Sequence, residues 1–293
     1  MELVDLHVHS NASDGTCSPQ EVVRLACEKG LCSIALTDHD TIAGIPSALE
    51  AAKNSPLEVI PGVELSCVYH GCEIHILGLF LDCQNPVLAE ELTALQQIRD
   101  KRNQDMLERF SNAGILITKE DLCLENPNTV ITRAHFARAL VSLGYAKDMS
   151  SAFRNYLDYG GPYCMPKKEI TPARAMELLS ESRAFPVLAH PFQYKLDRPV
   201  LLELIGTLKE LGLMGLECYH SSNNSYESRV LREIAGKYDL LPTGGSDFHG
   251  SNKPDISIGS GRGGLRVSKL LLDDVKKRHA AKYPDHPFYL VTH

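Results

Sequence analysis

Seven short apolar, β-branched runs recur along the chain, most of them followed by a stretch with helical spacing. This alternation restricts the fold more than any other property of the sequence. The runs are LVDLHVH (3–9), CSIALTDH (32–39), LEVIPGVEL (57–65), EIHILGLFL (73–81), FPVLAH (185–190), LMGLECYH (213–220) and LLPTGGSDFH (240–249). Between the first two, SPQEVVRLACEKG (18–30) reads as a helix. Ser18 is its N-cap, Pro19 takes the first helical position and Glu21 completes a capping box, while Gly30 ends it. Segments 43–53, 172–182, 198–211 and 225–237 read the same way. Strand–helix alternation of this kind builds parallel strands with outer helices, in an α/β barrel or an open sheet.

Residues 85–165 break the rhythm. ELTALQQIRDKRNQDMLERFSNAG and TRAHFARALVSLG are helical in spacing, and no central strand intervenes. The 293-residue chain is long enough for one large barrel carrying an insertion. The expected division is a first barrel part over 1–84, a helical insertion capping the site over 85–165, and a second barrel part over 166–293.

The ends of the apolar runs carry residues that a buried strand does not favour. The first ends in His7 and His9, followed by Asp14, and the second in Asp38, His39 and Asp40. The third ends in Glu64 and the fourth contains His75. The last three end in His190, in His220, and in Asp247 with His249. In barrels and open α/β sheets ligands bind at the carboxyl ends of the strands, so these side chains are expected on one rim. Neutral imidazole together with carboxylate suits divalent transition metals such as Mn²⁺, Fe²⁺ and Zn²⁺. The i, i+2 spacing of H-V-H, repeated by Asp247 and His249, keeps both side chains on one side of an extended chain. So many buried polar groups would be costly without a shared partner, and metal is the simplest one.

Composition narrows the ligand. A net charge of −7 argues against a broad footprint for duplex DNA. No apolar run reaches the roughly 20 residues of a membrane span. The nine cysteines form no C-x-x-C pair, which fits reduced thiols in a cytoplasmic protein. GSGRGG (259–264) matches a dinucleotide fingerprint in letters only, because it opens no strand-to-helix turn. His279, His286 and His293 lie beyond the barrel pattern and are expected at the surface.

The segments DLHVHS, SDGT, ALTDHDT, PGVELS, HILG, AHP and GGSDFHG, in this order, resemble the PHP (polymerase and histidinol phosphatase) phosphoesterase family. The resemblance runs from residue 3 to about 250 and is closest to the branch of 3′,5′-nucleotide bisphosphate phosphatases and 5′→3′ exoribonucleases. It implies a distorted (β/α)7 barrel holding two or three divalent metals, with Mn²⁺ first in order and Zn²⁺ or Fe²⁺ as alternatives. Carried over by position, His7, His9, Glu64 and Asp247 would hold one metal. Glu64 would bridge to a second, completed by His75 and His190. Asp14, His39 and His249 would hold a third. Asp14, Glu64 and Asp247 are then the expected catalytic carboxylates, with Asp14, Asp40 and His220 as alternatives for the proton donor to the leaving group.

Three divalent ions outweigh three carboxylates, so such a site would attract phosphate within an acidic chain. Thr132 is a plausible N-cap that would put Arg133 and His135 in a first helical turn, where anions are favoured. The expected substrate-binding residues are Arg133, His135, Lys168 and His220. The implied substrate is a small nucleotide bearing two phosphates, such as 3′-phosphoadenosine 5′-phosphate. Short 5′-phosphorylated single-stranded RNA follows on the same chemistry. The alternatives are a histidinol-phosphatase-like monoesterase, an amidohydrolase-type deaminase with its own H-x-H strand, and a binding module with structural metals.

Overall fold

A computed structural model describes residues 2–123, 126–158, 161–165, 170–261 and 264–290. Eight strands follow one another as β1 (Leu3–Val8), β2 (Ser33–Leu36), β3 (Glu58–Tyr69), β4 (Cys72–Leu79), β5 (Phe185–Leu188), β6 (Gly215–His220), β7 (Leu241–Gly245) and β8 (Val267–Ser268). They form one sheet in the order β7-β6-β5-β4-β3-β2-β1-β8. The sheet curls until β1 meets the chain leaving β7, where His9 N–H donates to Phe248 O at 3.0 Å and Asp247 N–H to His7 O at 2.9 Å. The result is a nearly closed barrel of seven strands, with the two-residue β8 antiparallel against β1. Closure depends on Gly245, because a Cβ there would lie 2.3 Å from that of His7.

The helices are α1 (Pro19–Glu28), α2 (Ile45–Ala52), α3 (Pro86–Asn112), α4 (Lys119–Cys123), α5 (Arg133–Ser142), α6 (Met149–Ala152), α7 (Pro172–Glu181), α8 (Arg198–Glu210), α9 (Ser225–Lys237), α10 (Lys269–Lys282) and α11 (Pro287–Leu290). The capping box of α1 forms as the sequence indicates, with Ser18 Oγ accepting from Glu21 N–H. Val22, Val23 and Ala26 on its inner face join Val8, Ile34 and Leu36 in the layer between barrel and helices. The helices from α3 to α6 lie between β4 and β5 in sequence. They have a core of their own around Met106, Phe110, Phe136 and Leu140.

The expectation of parallel strands fails at β4, which runs antiparallel to both β3 and β5. The cause is local. β3 and β4 are joined through His70 and Gly71, both at positive φ, whereas a parallel crossover needs about a dozen residues or more. Two consequences follow for the polar rim. β3 continues past Glu64 to Tyr69, so Glu64 lies within the strand rather than at its end. Because β4 is reversed, His75 near its start sits opposite Ser66 of β3, on the same rim as the carboxyl ends of the other strands.

The surface expectation for two histidines is overturned. His279 and His286 are buried, with His279 stacked on Phe80 at 4.9 Å between ring centroids. His293 lies outside the described residues, as do Arg262 of the glycine-rich loop and Lys168. Among the described residues no helix is long and apolar enough to cross a membrane, and all nine cysteines are free thiols.

Candidate metal centre

β1 delivers His7 and His9 to the same side of the barrel mouth, their Nε2 atoms 3.1 Å apart. Glu64 stands between the strands' contributions. Its Oε2 is 3.3 Å from His7 Nε2, 3.1 Å from His9 Nε2 and 3.2 Å from His39 Nδ1. Its Oε1 is 2.9 Å from His75 Nδ1 and 3.0 Å from His190 Nε2. Asp247 Oδ1 lies 3.7 Å from His7 Nε2 and 3.5 Å from His9 Nε2. Asp14 Oδ1 is 3.2 Å from His249 Nε2, and Asp14 Oδ2 is 3.8 Å from His39 Nε2.

Four overlapping groups result, within each of which the donor atoms lie no more than 4.8 Å apart. They are His9–Asp14–His39–His249, His7–Glu64–His190, His7–His9–Asp247 and His39–Glu64–His75. The structure therefore brings together all nine side chains expected as ligands.

Backbone strain accompanies the cluster. Asp40, His190 and Asp247 all adopt positive φ where the chain leaves a strand. Non-glycine residues rarely hold this conformation, and it concentrates at functional sites. Around Asp38 the turn after β1 is knotted to β2: Ser10 Oγ donates to Asp38 Oδ2 at 2.7 Å and Ser13 Oγ to Asp38 Oδ1 at 2.6 Å. Asp38 thus shapes the loop that carries Asp14. Asp40, an alternative for the proton donor, is ion-paired with Arg99 of α3, accepts from Ser66 N–H and is absent from the lining of the cavity at the cluster.

The electrostatics favour a bound cation. Burial alone would neutralise Glu64, yet the surrounding His39, His75 and His7 hold its carboxyl well below the ordinary range. For Asp247, burial is outweighed by Lys253 and His249, and its carboxyl is likewise held low. Asp14 behaves the same way against burial, through His249 and His39. Burial and the neighbouring His249 push His9 down to about 4, and burial takes His39 to about 4. Burial also works against charge on His7 and His75. Glu217, Glu64 and Asp247 nevertheless raise His7 well above its usual value, and Glu64 with Glu73 brings His75 up to about 10.

Asp14 Oδ1, His39 Nδ1 and Glu64 Oε2 are closed to solvent and have no hydrogen-bond partner among the described residues. Buried acceptors without donors are costly. Divalent ions among imidazole and carboxylate donors fit them.

A cavity of about 340 Å³ opens onto the cluster. Asp14, His39, Glu64, His75, His190, Asp247 and His249 line one wall. Arg99 and Arg133 from the helices after β4 and Lys253 from the loop after β7 line the same cavity. Thr132 caps α5, and its hydroxyl donates to Asp14 Oδ2 at 2.9 Å. Arg133 faces the cavity and pairs with Glu73 at 2.7 Å.

His135 does not share that wall. Its Nδ1 accepts from Thr132 N–H at 3.0 Å, completing the cap of α5, and its ring is buried. His220 also lies behind the wall, with Nε2 3.3 Å from Asp247 Oδ2.

Four residues near the centre escaped the sequence reading. Glu217, on β6, places Oε1 3.0 Å from His7 Nδ1 and accepts His190 N–H through Oε2 at 2.7 Å. A carboxylate in the middle of the apolar GLECYH run was the available signal. Lys253 Nζ lies 2.5 Å from Asp247 Oδ2. Glu73 sits two residues before His75, and Arg99 projects from the long α3.

Comparison with known proteins identifies the family. The PHP domain model matches residues 5–196. The 5′-3′ exoribonuclease Rnm of Escherichia coli is 35% identical over 249 residues, covering 84% of this chain and 85% of its own. A 3′,5′-nucleoside bisphosphate phosphatase of Chromobacterium violaceum is 32% identical over 262 residues, covering 88% and 91%. A solved structure from Bifidobacterium adolescentis, assigned as a metal-dependent phosphoesterase, superposes with a TM-score of 0.83 at 30% identity, covering 96% of each chain. With its nine-residue His/Asp/Glu cluster at the mouth of a nearly closed barrel, the chain belongs to the PHP domain family.

Proposed function

We propose that the chain is a metal-dependent phosphoesterase that removes the 3′-phosphate of nucleoside 3′,5′-bisphosphates, leaving a nucleoside 5′-monophosphate. The same chemistry on short 5′-phosphorylated RNA releases nucleotides from the 5′ end. The observation that carries this reading is one cavity lined both by the buried His/Asp/Glu donor cluster and by Arg99, Arg133 and Lys253.

His7, His9, Glu64 and Asp247 are the proposed donors of one metal site, Glu64, His75 and His190 of a second, and Asp14, His39 and His249 of a third. Divalent ions bound there supply a Lewis acid for the phosphoryl oxygens and lower the pKa of water. The imidazole–carboxylate donor set accepts Mn²⁺, Zn²⁺ or Fe²⁺, and the resemblance to the PHP family puts Mn²⁺ first. The chain's own groups do the rest. Glu64 contacts five histidines and so fixes the spacing of the sites. Thr132 ties Asp14 to the N-terminus of α5. Arg133 offers a planar pair of donors to a second phosphate on the substrate. His135 supports this wall by capping α5, and His220 supports Asp247 from behind.

The segment over 85–165 then serves as a roof that supplies specificity, between barrel parts 1–84 and 166–293. Its cations favour a doubly anionic ligand over a histidinol phosphate-like monoester. Both relatives compared above carry names for nucleotide or RNA substrates, which supports the same choice. A chain of net charge −7 with three cations lining one cavity fits a small or single-stranded ligand better than duplex DNA. Nine free thiols suit a reducing compartment such as the cytoplasm.

The test, on the Mn²⁺-loaded protein, is phosphate release from 3′-phosphoadenosine 5′-phosphate, mononucleotide release from 5′-phosphorylated oligoribonucleotides and phosphate release from histidinol phosphate. Metal-dependent turnover of the first, or of the first two, is expected. Turnover of histidinol phosphate alone, or of none, overturns the reading.

A further inference from the structure

Glu73 and His75 project from the same face of β4, two residues apart, as alternation along a strand requires. Glu73 Oε1 is 3.1 Å from His75 Nε2, and Glu73 Oε2 accepts from the Arg133 guanidinium at 2.7 Å. One carboxylate thus touches both a candidate metal ligand on the barrel and the phosphate-facing cation at the start of α5. The backbone of His75 is held as well, its N–H donating to Tyr194 Oη at 3.0 Å.

The tautomer of His75 is at stake. Nδ1 points into the cluster, 2.9 Å from Glu64 Oε1 and 3.3 Å from His190 Nε2. A neutral imidazole can carry its proton on either nitrogen. With the proton on Nδ1 it would donate to Glu64 and have no lone pair for a metal. With the proton on Nε2 the Nδ1 lone pair faces the cluster. An ionised carboxylate only accepts, so Glu73 stabilises the second form. Such outer partners fix the orientation and basicity of metal-binding histidines.

We infer that Glu73 is a positioning residue that couples metal binding to phosphate binding: one oxygen holds His75 with Nδ1 toward the metal site, and the other holds Arg133 at the cavity wall. The inference rests on the phosphoesterase reading for the identity of the anion, but its metal arm does not.

Two variants test it. Gln at this position offers one acceptor to two donors, so Glu73→Gln must weaken at least one of the two functions. Met offers none, and Glu73→Met is expected to weaken both. Mn²⁺ affinity of the apoprotein, followed by the loss of free-ion electron paramagnetic resonance signal, is expected to fall about 10- to 100-fold in Glu73→Met. KM for 3′-phosphoadenosine 5′-phosphate is expected to rise about tenfold or more at saturating Mn²⁺, with kcat within about threefold, because a lost Arg–phosphate geometry removes binding energy. Circular dichroism and urea unfolding of each apoprotein identify a variant that fails to fold, and Glu73→Gln then decides alone.

The inference is overturned if Glu73→Gln matches the wild type in both measurements. A folded Glu73→Met that keeps wild-type Mn²⁺ affinity, or wild-type KM, overturns it equally. If the wild type hydrolyses no bisphosphate, the substrate reading fails, while the Mn²⁺ titration still decides the role of Glu73 toward His75.

Discussion

His7 Nδ1 lies 3.0 Å from Glu217 Oε1, with both side chains closed to solvent. Because the carboxylate only accepts, the proton resides on Nδ1, and Nε2 is left facing Glu64 and Asp247. The second oxygen of Glu217 accepts His190 N–H, where the backbone is strained. In Glu217→Gln a single acceptor serves two donors, and one buried N–H meets an amide NH₂. A loss of about 1–3 kcal/mol in unfolding free energy is expected. On the proposed ligand set, Mn²⁺ affinity falls by about 10- to 100-fold as well. Urea unfolding of the apoprotein and a metal titration read the two effects separately. A variant that keeps both would show that His7 needs no orienting partner.

Metal should also be visible in stability. The donor cluster gathers three carboxylates, of which Asp14 and Glu64 each keep an oxygen without a hydrogen-bond partner among the described residues, and ions that bind only the folded chain stabilise it by mass action. At 100 times the dissociation constant, one site contributes about 2.7 kcal/mol. Thermal unfolding in Mn²⁺ should therefore occur well above that in a chelator. The gap should shrink in Glu64→Gln, which removes a charge facing five histidines. Coincident melting curves with and without metal would contradict the assignment of the cluster.

Much of this centre was legible because its residues violate the pattern of the strands that carry them. His7, His39, His190, His220 and Asp247 stand where an apolar run should continue, and the rule for strand carboxyl ends puts them on one rim. Glu64 and His75 reached the right rim for a partly wrong reason. The chain reverses at His70 and Gly71, so one lies within its strand and the other near the start of an antiparallel one. Glu217 and Glu73 were missed because a lone carboxylate in a strand says nothing of the histidine it will meet 210 or two residues away. Lys253 was missed for the same reason, since its partner is set by how the loop after β7 folds back. The burial of His279 arises from Phe80 and Tyr289 packing on α10, where His279 follows Leu272 and Val275 on the buried face.

The helices after β4 are tied to the barrel through Asp40 and Arg99, both buried. Gln96 of the same helix reinforces the contact by donating to Asp40 O at 3.0 Å. Removing one partner of a buried ion pair strands the other charge, at a cost of about 3–5 kcal/mol. Arg99→Met is expected to destabilise the protein by that amount in urea unfolding, and adding Asp40→Asn should recover part of it by removing the stranded charge. If Arg99→Met unfolds within about 1 kcal/mol of the wild type, the pair does not anchor this face.

His279 supplies a pH dependence remote from the metal centre. Its Nε2–H donates to Arg183 O at 2.7 Å and its Nδ1 is 2.9 Å from Tyr289 Oη, an arrangement that a neutral ring satisfies. Burial pushes its pKa down to about 4, against the ordinary 6.5, and the nearby His286 and Lys282 act in the same direction. Between these values the unfolded chain binds a proton that the folded one refuses. The contribution of His279 is therefore intact above about pH 6.5 and is lost as the pH falls toward 4. At 1.36 kcal/mol per unit the full loss is about 3 kcal/mol, of which about 2 kcal/mol is spent between pH 7.5 and 5. Chelator-treated wild type and His279→Gln, unfolded in urea at both pH values, isolate this contribution from the cluster histidines common to both. The wild type should lose about 2 kcal/mol more than the variant over that interval, and equal losses would mean that His279 takes up its proton as readily folded as unfolded.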